Sequence, residues 1–157
     1  MTLSNTKVHN LYEPIGNNFE IDKMSLEDLI SIKDILTTEF DDFWNYEILK
    51  SELESNNSYF FVAKNISGEI VCFAGIKVIL DEADIMNIVV KKDFRNNGIG
   101  SLLLDYLISY SKSINLKTIT LEVNEINIPA IKLYEKFDFE KLGIRKKYYN
   151  GENDAII

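Results

Sequence analysis

The sequence is poor in the residues from which many catalytic and structural centres are built. Its 157 residues include one cysteine, one histidine and two prolines. A single cysteine excludes a disulfide within the chain, and a single histidine leaves no Ser-His-Asp triad, Cys-His pair or zinc cluster. Cys72 lies in the apolar run 70–74, which favours a buried core residue over a nucleophile. We therefore predict no metal site, and chemistry that uses carboxylates, tyrosines, backbone amides or an external cofactor.

Basic residues and long apolar runs are also scarce. Seventeen Lys and Arg against 25 Asp and Glu give a formal charge of -8. Nucleic-acid-binding domains usually present a basic face, so this balance argues against nucleic acid and suits a basic partner. No stretch has the length of a membrane span, and residues 1–18 contain no apolar run typical of a signal peptide. We predict a cytoplasmic protein that does not bind membranes.

Length and composition fit one folded domain. Hydrophobic residues make up 46% of the chain and charged residues 27%, which is ordinary for a globular protein. A chain of this size can bury enough surface to fold without a disulfide or a metal. No internal repeat or low-complexity linker divides it. We predict a loosely ordered polar extension over residues 1–17, which contains His9, and a single domain over residues 18–157.

Hydrophobic periodicity predicts alternating strands and helices. The predicted strands cover residues 18–22, 58–64, 69–80, 84–91, 117–123, 139–149 and 155–157, and the predicted helices cover residues 25–38, 45–55, 101–113 and 127–137. Ser25 and Asp28 resemble a capping box, and Asn45 can cap the second helix. The strands at 58–64 and 69–80 are predicted to form a hairpin. The order indicates a mixed α/β domain.

A glycine-containing loop joins a predicted strand to the strongest predicted helix. The loop reads Arg95-Asn96-Asn97-Gly98-Ile99-Gly100-Ser101. Glycines let the backbone turn its N–H groups inward, and the start of a helix favours anions. The loop lacks the Gly-Lys-Ser/Thr of a P-loop and the third glycine of a dinucleotide fingerprint. Taken alone, it is more typical of a tight turn between a strand and a helix than of an anion site.

A second motif, further along the chain, indicates how the glycine loop is to be interpreted. The strand end Leu121-Glu122-Val123 leads into the helical segment Asn127-Ile128-Pro129-Ala130-Ile131-Lys132-Leu133-Tyr134-Glu135. The pairing of Arg-x-x-Gly-x-Gly with Asn-x-x-Ala-x-x-Leu-Tyr resembles the GNAT superfamily of acyl-coenzyme-A-dependent N-acetyltransferases. With Asp42-Phe43-Trp44-Asn45 and Gly143-Ile144-Arg145-Lys146-Lys147-Tyr148-Tyr149, the chain resembles the RimI family of bacterial ribosomal-protein-alanine acetyltransferases over residues 18–157.

Two positions depart from this family's pattern. Asp138 stands where the family commonly has glycine, at a position expected to need a turn conformation that Asp tolerates. Asn153 stands between the acidic residues that are usual near the end. Neither position touches the expected chemistry.

The resemblance implies the GNAT fold and an acetyl-coenzyme A (acetyl-CoA) cleft. The fold has a central, mostly antiparallel mixed sheet, flanked by helices and splayed between the strands at 85–90 and 117–123. The resemblance further implies that the cofactor contacts Ile88, Val89 and Val90 along the pantetheine arm, the N–H groups of Arg95, Asn96, Asn97, Gly98, Ile99, Gly100 and Ser101 at the pyrophosphate, and Asn127 and Tyr134. Residues 88–90 are also typical of a plain buried strand, and Asn127 of a helix cap.

Two side chains carry the implied catalysis. Glu122 would act as general base, because an α-amino group with a pKa of about 8 arrives mostly protonated at neutral pH. Periodicity alone favours an ordinary outward-facing strand residue at Glu122, and it is the family motif that favours the catalytic role. Tyr134 would act as general acid on the departing thiolate, although the same spacing fits a core tyrosine. A backbone N–H of Ile88 or Val90 would bind the oxyanion, and the amine would attack directly in a ternary complex.

The implied acceptor is the N-terminal alanine of a small-subunit ribosomal protein. Alternatives are a lysine side chain, a polyamine or another small amine, and, from a different class, a non-catalytic acyl-coenzyme-A sensor or ribosome-binding module. Loops at 37–45 and 145–151 are expected to set the choice. Acidic residues expected to attract a basic tail, or to form an ordinary solvated surface, are Glu39, Asp41, Asp42, Glu47 and Glu125.

Overall fold

The structure is a computed structural model that describes residues 1–4, 18–41 and 44–157. In these ranges the strands are β1 (Thr2–Ser4), β2 (Phe19–Lys23), β3 (Ser58–Asn65), β4 (Ile70–Ile79), β5 (Glu82–Val90), β6 (Thr118–Leu121), β7 (Val123–Asn124), β8 (Ile144–Tyr149) and β9 (Asn153–Ile156). The α-helices are α1 (Leu26–Ile32), α2 (Tyr46–Leu53), α3 (Ile99–Ser113) and α4 (Ile128–Lys136). Short 3₁₀ segments cover Lys33–Ile35 and Lys92–Phe94, and a π-helical turn covers Leu36–Phe40.

The strands form two sheets. The larger has the order β1-β6-β5-β4-β3-β2, and the smaller has the order β7-β9-β8. All neighbours are antiparallel except β5 and β6, whose parallel pairing runs from Glu82↔Thr118 to Ile85↔Leu121. Beyond that last pair the two strands separate. The predicted mixed, mostly antiparallel sheet with a splayed centre is therefore confirmed.

Two apolar cores lie on opposite faces of the larger sheet. On one face, α3 places Leu103, Leu104 and Leu107 against alternate residues of the central strands, and all three are fully buried. On the other face, α1 and α2 contribute Leu29 and Leu49 to a second cluster. Each fully buried leucine of this kind contributes about 1.5–3 kcal/mol relative to exposure. The larger sheet is therefore covered on both faces.

Local capping signals in the sequence are confirmed. The Ser25 hydroxyl accepts from the Asp28 N–H at 3.0 Å, and the Asp28 carboxylate accepts from the Ser25 N–H at 2.9 Å. The Asn45 side chain accepts from the Ile48 N–H at 3.0 Å and caps α2. The first predicted helix is shorter than expected, because regular α-helix ends at Ile32. The π-helical turn that follows lets the chain bury both of its apolar ends at residues 36 and 40.

The start of the chain differs from the predicted loose extension. Residues 2–4 form β1 at the edge of the larger sheet, with Leu3 paired to Ile119. Met1 and Leu3 are fully buried and alternate with polar residues, so even this short segment has the period of a half-buried strand. The remainder of the extension, residues 5–17 with His9, lies outside the described ranges. For it, the division into extension and domain stays a prediction.

Two predicted strands are interrupted. The strand at 117–123 divides at Glu122, which belongs to neither β6 nor β7. The predicted strand at 139–149 is regular only from Ile144, and before it Glu140 forms an isolated bridge with Thr2. Asp138, just ahead of this segment, turns the chain with φ 62°. That left-handed backbone is the turn conformation expected where the family commonly has glycine.

The remaining expectations concern the interior and the surface. Cys72 is buried, and burial raises the pKa of its thiol, so it is an inert core residue as predicted. None of the helices in the described ranges is both long and apolar enough to cross a membrane. Over the same ranges, no three His, Cys, Asp or Glu side chains are grouped to hold a metal ion.

Candidate active site

A cavity of about 470 Å³ lies between the end of β5, the glycine loop and the start of α4. It is bordered by eleven predicted cofactor residues, Ile88, Val89, Val90, Arg95, Asn96, Gly98, Ile99, Gly100, Ser101, Asn127 and Tyr134. Five residues that were not predicted as contacts also border it, namely Asp41, Phe94, Pro129, Ala130 and Leu133. The fold thus brings two distant sequence motifs to one concave surface.

The glycine loop presents backbone donors to this cavity. Gly98 precedes α3 with φ 77°, a left-handed conformation that glycine adopts at little cost. The first bond within the helix runs from the Leu102 N–H to the Gly98 carbonyl. The N–H groups of Ile99, Gly100 and Ser101 therefore have no acceptor inside the helix. A row of free amides at the positive end of a helix is an anion-binding arrangement.

Gly100 is not needed to avoid a steric clash. Its lack of a side chain matters for the shape of the cavity. A Cβ built there would lie 3.5 Å from a Leu133 methyl group and 3.7 Å from a Val90 methyl group. Those are ordinary van der Waals distances, so alanine would fit. The glycine leaves this wall of the cavity open.

The basic residues near the loop have unexpected partners. Arg95 donates to the Val90 carbonyl at 3.0 Å and to the Phe40 carbonyl at 2.6 Å. Its guanidinium therefore ties the loop to the end of β5 and to the π-helical turn. Lys91 is held by two carboxylates, those of Glu39 at 3.0 Å and Glu69 at 2.6 Å.

A positive charge beside the glycine loop comes from Lys136, which was not predicted as a site residue. Lys136 of α4 reaches within 3.5 Å of the Ser101 hydroxyl. Its position after the Leu133-Tyr134-Glu135 motif, in the last turn of the helix, was the available signal. Lys136 thus stands beside the first-turn amides of α3.

Two asparagines of the predicted set stabilise their own segments. Asn97 does not border the cavity, because its side chain donates to the carbonyls of Phe94 and Arg95 at 3.2 Å each. Asn127 accepts from the Ala130 N–H at 3.3 Å and so caps α4, while also bordering the cavity. Its cap role is observed, and its cofactor contact stays a prediction.

The separated edge of β5 supplies a second set of backbone groups. Residues 88–90 continue past the last β6 pair, so this edge of the strand faces the opening while the other edge pairs with β4. The side chains of Ile88 and Val90 pack beside the first core. An open strand edge can accept an extended ligand as an added strand. The buried-strand and ligand-edge interpretations of this segment are compatible.

Glu122 lies where β6 gives way to β7. Leu121 and Val123 point into the first core, so Glu122 points to the opposite face of the sheet. Its side chain is 26% exposed, and its carboxylate accepts from the Arg145 guanidinium at 2.9 Å. Arg145, on β8, also lies over the Tyr148 ring at 5.0 Å. Glu122 is therefore a half-buried, ion-paired carboxylate rather than a freely solvated one.

Two tyrosines, Tyr134 and Tyr149, connect Glu122 electrostatically with the cavity. Tyr134 is 7% exposed, and burial raises the pKa of its phenol, with a smaller contribution from Tyr149. Burial also raises the pKa of Tyr149, and the negative charge of Glu122 adds to that effect. Both phenols are protonated at neutral pH. Tyr149 thus lies within electrostatic reach of both predicted catalytic groups.

Arg145 and Tyr149 are the site residues that sequence reasoning did not single out. Both belong to the Gly143–Tyr149 motif, which was used only to identify the family and a specificity loop. A third omission is Asp84, whose pKa is raised by burial, with Glu122 adding to the effect.

The acidic residues expected to attract a basic tail have separate local positions. Glu39 pairs with Lys91, and Asp41 borders the cavity. Glu125 accepts from the Asp154 N–H at 2.9 Å, and Glu47 lies in the first turn of α2. Asp42 lies outside the described ranges. Attraction of a basic tail by these residues stays a prediction.

Known proteins with this sequence pattern and fold are acetyltransferases. Residues 29–139 match the family described as the Acetyltransferase (GNAT) family. A Bacillus subtilis protein provisionally named as a ribosomal protein bS18-alanine N-acetyltransferase is 33% identical over 136 residues, 85% of this chain and 89% of that protein. The Escherichia coli (strain K12) ribosomal protein bS18-alanine N-acetyltransferase is 40% identical over 94 residues, 58% of this chain and 64% of that protein.

A solved structure supports the same assignment. The crystal structure of the Escherichia coli ribosomal-protein-alanine N-acetyltransferase superposes with a TM-score of 0.79 at 31% identity, over 88% of this chain and 90% of that one. The predicted fold and the predicted resemblance to the RimI family are both confirmed. The chain belongs to the GNAT family of acetyltransferases.

Proposed function

We propose that the chain transfers the acetyl group of acetyl-CoA to the N-terminal α-amine of a protein, and that this protein is a small-subunit ribosomal protein beginning with alanine. The observation that carries the proposal is the position of Glu122. It stands at the separation of β5 and β6, on the face opposite the one that Ile88 and Val90 occupy. An amine and a thioester can therefore meet from opposite sides of the opening.

The residues around the cavity fit acetyl-CoA. The free amides of residues 99–101, with Lys136 beside them, match an anionic pyrophosphate. The open edge of residues 88–90 matches the two amide groups of a pantetheine arm. We call this set, residues 88–90 and 95–101 with α4, the cofactor side. When bound, acetyl-CoA supplies the activated acetyl group.

The opposite face fits an amine acceptor. We call it the acceptor side and define it by Glu122, Arg145, Tyr149 and the neighbouring β5 residues of the same face. Glu122 takes a proton from the incoming ammonium, directly or through one water, and the free amine attacks the thioester carbonyl. For the amine to reach the carboxylate, the Arg145 guanidinium must swing aside, as an exposed surface ion pair allows.

In this proposal, Tyr134 protonates the departing sulfur. The carbon–sulfur bond breaks as the tetrahedral centre collapses, and the thiolate takes the phenolic proton. The raised pKa of Tyr134 keeps that proton available at neutral pH. Burial at this position also disfavours the charged thiolate and so raises the pKa of the coenzyme A thiol. The pKa values of the proton donor and of the proton acceptor are therefore shifted in the same direction. A backbone N–H of Ile88 or Val90 stabilises the oxyanion.

Support for a ribosomal acceptor comes from the names of the relatives. Proteins named as ribosomal protein bS18-alanine N-acetyltransferases match this chain at 33–40% identity. The charge of -8 suits a basic ribosomal tail.

One experiment tests both the reaction and the acceptor. The purified chain is incubated with acetyl-CoA and peptides that begin with alanine, serine or methionine, or that carry an internal lysine and a blocked N-terminus. Mass spectrometry then locates the acetyl group. We expect the α-amine of alanine-start peptides to react fastest. Faster modification of lysine or of a diamine would contradict the proposed N-terminal acceptor and identify a side-chain or small amine instead. Cofactor binding without any turnover would favour a non-catalytic sensor.

A further inference from the structure

Asn87 of β5 is a buried amide without a partner. Its residue surface is 9% exposed. Neither its side-chain nitrogen nor its side-chain oxygen has a hydrogen-bond partner in the described part of the chain. A buried polar group left unpaired costs folding free energy, so such groups are rare in native interiors. We therefore expect Asn87 to have a function that offsets this cost in folding free energy.

A β-bulge puts Asn87 at the opening between β5 and β6. The β4–β5 register pairs Ile76 with Ile85 and Gly75 with Asn87, so Met86 is the extra residue. The same Ile85 forms the last pair with β6. Bulges next to active sites commonly redirect a side chain. Asn87 is thus the first ladder residue of β5 after the strands separate.

The side chain of Asn87 lies on the same face as Glu122. Residues paired across an antiparallel ladder point to one face, and the Gly75 face is the one covered by Phe60 of the second core. Glu122 points to that face too, because its two neighbours occupy the first core. Asn87 therefore lies on the face of the acceptor side, and because both of its amide atoms are buried, an acceptor contacts them only after neighbouring groups move aside.

A carboxamide at this place is chemically matched to a peptide group. Its N–H donates and its oxygen accepts, which mirrors the carbonyl and N–H of a peptide bond. A protein N-terminus carries such a group one carbon away from its amine. A polyamine or a lysine side chain carries methylene groups there, which leave the carboxamide unpaired.

We propose that Asn87 binds the first peptide group of the acceptor and thereby selects protein N-termini over alkyl amines. This inference rests on the proposed function and names the part of the acceptor that is recognised. It assigns Asn87 a binding and specificity role, separate from the proton transfers at Glu122 and Tyr134.

The test compares two acceptors in two proteins. Asn87→Leu keeps the branched shape and removes both polar groups. We expect its kcat/KM for an alanine-start peptide to fall about 10- to 100-fold, the worth of one or two hydrogen bonds. Its kcat/KM for 1,4-diaminobutane and its KM for acetyl-CoA stay unchanged. Its Tm stays unchanged or rises, because an unpaired buried group is removed.

A modified peptide isolates the contact itself. When the N–H between the first and second residues is methylated, the wild-type protein should lose about tenfold in kcat/KM, and Asn87→Leu should lose little more. Asn87→Ala repeats the series without added bulk against Phe60, in case leucine disturbs folding. Asn57→Leu, at an asparagine that hydrogen bonds to Val78, is the matched control for losing an asparagine elsewhere.

Each outcome decides between distinct conclusions. Equal losses on the peptide and the diamine together with a lower Tm in both variants would make Asn87 structural. Unchanged peptide activity in both variants would overturn the contact and leave the proposed function intact. A wild-type protein that acetylates the diamine but no peptide would overturn both.

Discussion

The cofactor side and the acceptor side differ in how far their ligand-binding groups are already in position. On the cofactor side, the amides of residues 99–101 and the open edge of β5 already face a cavity of about 470 Å³. On the acceptor side, the predicted base is paired with Arg145, and the side chain of Asn87 has no hydrogen-bond partner among the residues that the structure describes. A preformed backbone site therefore adjoins a side-chain site that must rearrange. Backbone donors suit a ligand that never changes, whereas side chains set which acceptor is chosen.

The largest expected effect is that of replacing Glu122, the acceptor-side carboxylate at the separation of β5 and β6. Glu122→Gln removes the proton acceptor but keeps the size and polarity of the side chain. We expect kcat to fall about 10²- to 10⁴-fold, the usual range for losing a general base, with the KM for acetyl-CoA unchanged. Steady-state kinetics with an alanine-start peptide measures both values.

Glu82→Gln, at the start of β5, is the matched control and should leave kcat unchanged. An unaltered rate in Glu122→Gln would remove the base from the mechanism and assign Glu122 to structure alone.

Gly98 tests whether the cofactor side is truly preformed. Alanine at φ 77° is strained by about 1–2 kcal/mol, and relief of that strain moves the amides that follow. We expect Gly98→Ala to raise the KM for acetyl-CoA about 5- to 30-fold, with a smaller effect on the acceptor. Isothermal calorimetry with coenzyme A measures the same loss directly.

Gly68→Ala supplies the matched strain away from the site. Gly68 has φ 82° in the β3–β4 turn, where a Cβ meets open space. Both variants should lose similar stability, but only Gly98→Ala should lose cofactor affinity. Equal cofactor affinity in the two variants would contradict a preformed amide site.

Part of the cofactor side was predictable because its glycine loop is local in sequence. The loop at 95–101 and the helix it begins are continuous, so helix geometry identifies the amides without an acceptor in the helix, whereas the resemblance to the family was needed to interpret them as an anion site. The capping box at Ser25 and the β3–β4 hairpin were predictable for the same reason.

The acceptor side was less predictable because its contacts join distant segments. The pairing of Glu122 with Arg145 depends on how β8 and β9 fold back onto β7, with β9 between the other two strands, and periodicity does not specify this. The resemblance implies a cofactor contact for the Arg95 backbone, but the sequence does not predict that its side chain donates to the carbonyl of Phe40, which lies far away in the sequence. The bulge at Met86 likewise arises from strand register. Side-chain partners across the sheet follow from tertiary packing and not from local pattern.

Arg145 tests whether the acceptor side is held closed. Arg145→Gln removes the cation that the acceptor's ammonium must displace from Glu122. An exposed pair of this kind is worth about 0.2–1 kcal/mol, so we expect the acceptor KM to fall up to about fivefold. Arg145→Lys keeps the charge and should stay near the wild-type value. A higher acceptor KM in Arg145→Gln would instead make Arg145 a direct acceptor contact.

The smallest expected effect lies in the ion cluster at Lys91, which joins the end of β5 to the π-helical turn. The hydrogen bond from Lys91 holds the pKa of Glu69 below its usual range, so this carboxylate stabilises the fold above the unfolded pKa of about 4.3 and stops doing so as the pH falls through the lower folded value. Because Glu69 is partly exposed, screening limits its contribution, and Glu69→Gln should cost about 0.2–1 kcal/mol at pH 7. Urea unfolding should show that difference shrinking between about pH 5 and pH 2 and in 1 M salt. Both KM values should stay at the wild-type level, since Glu39, Glu69 and Lys91 belong to neither side and do not border the cavity. A changed acceptor KM would mean that the position of the π-helical turn affects the acceptor side.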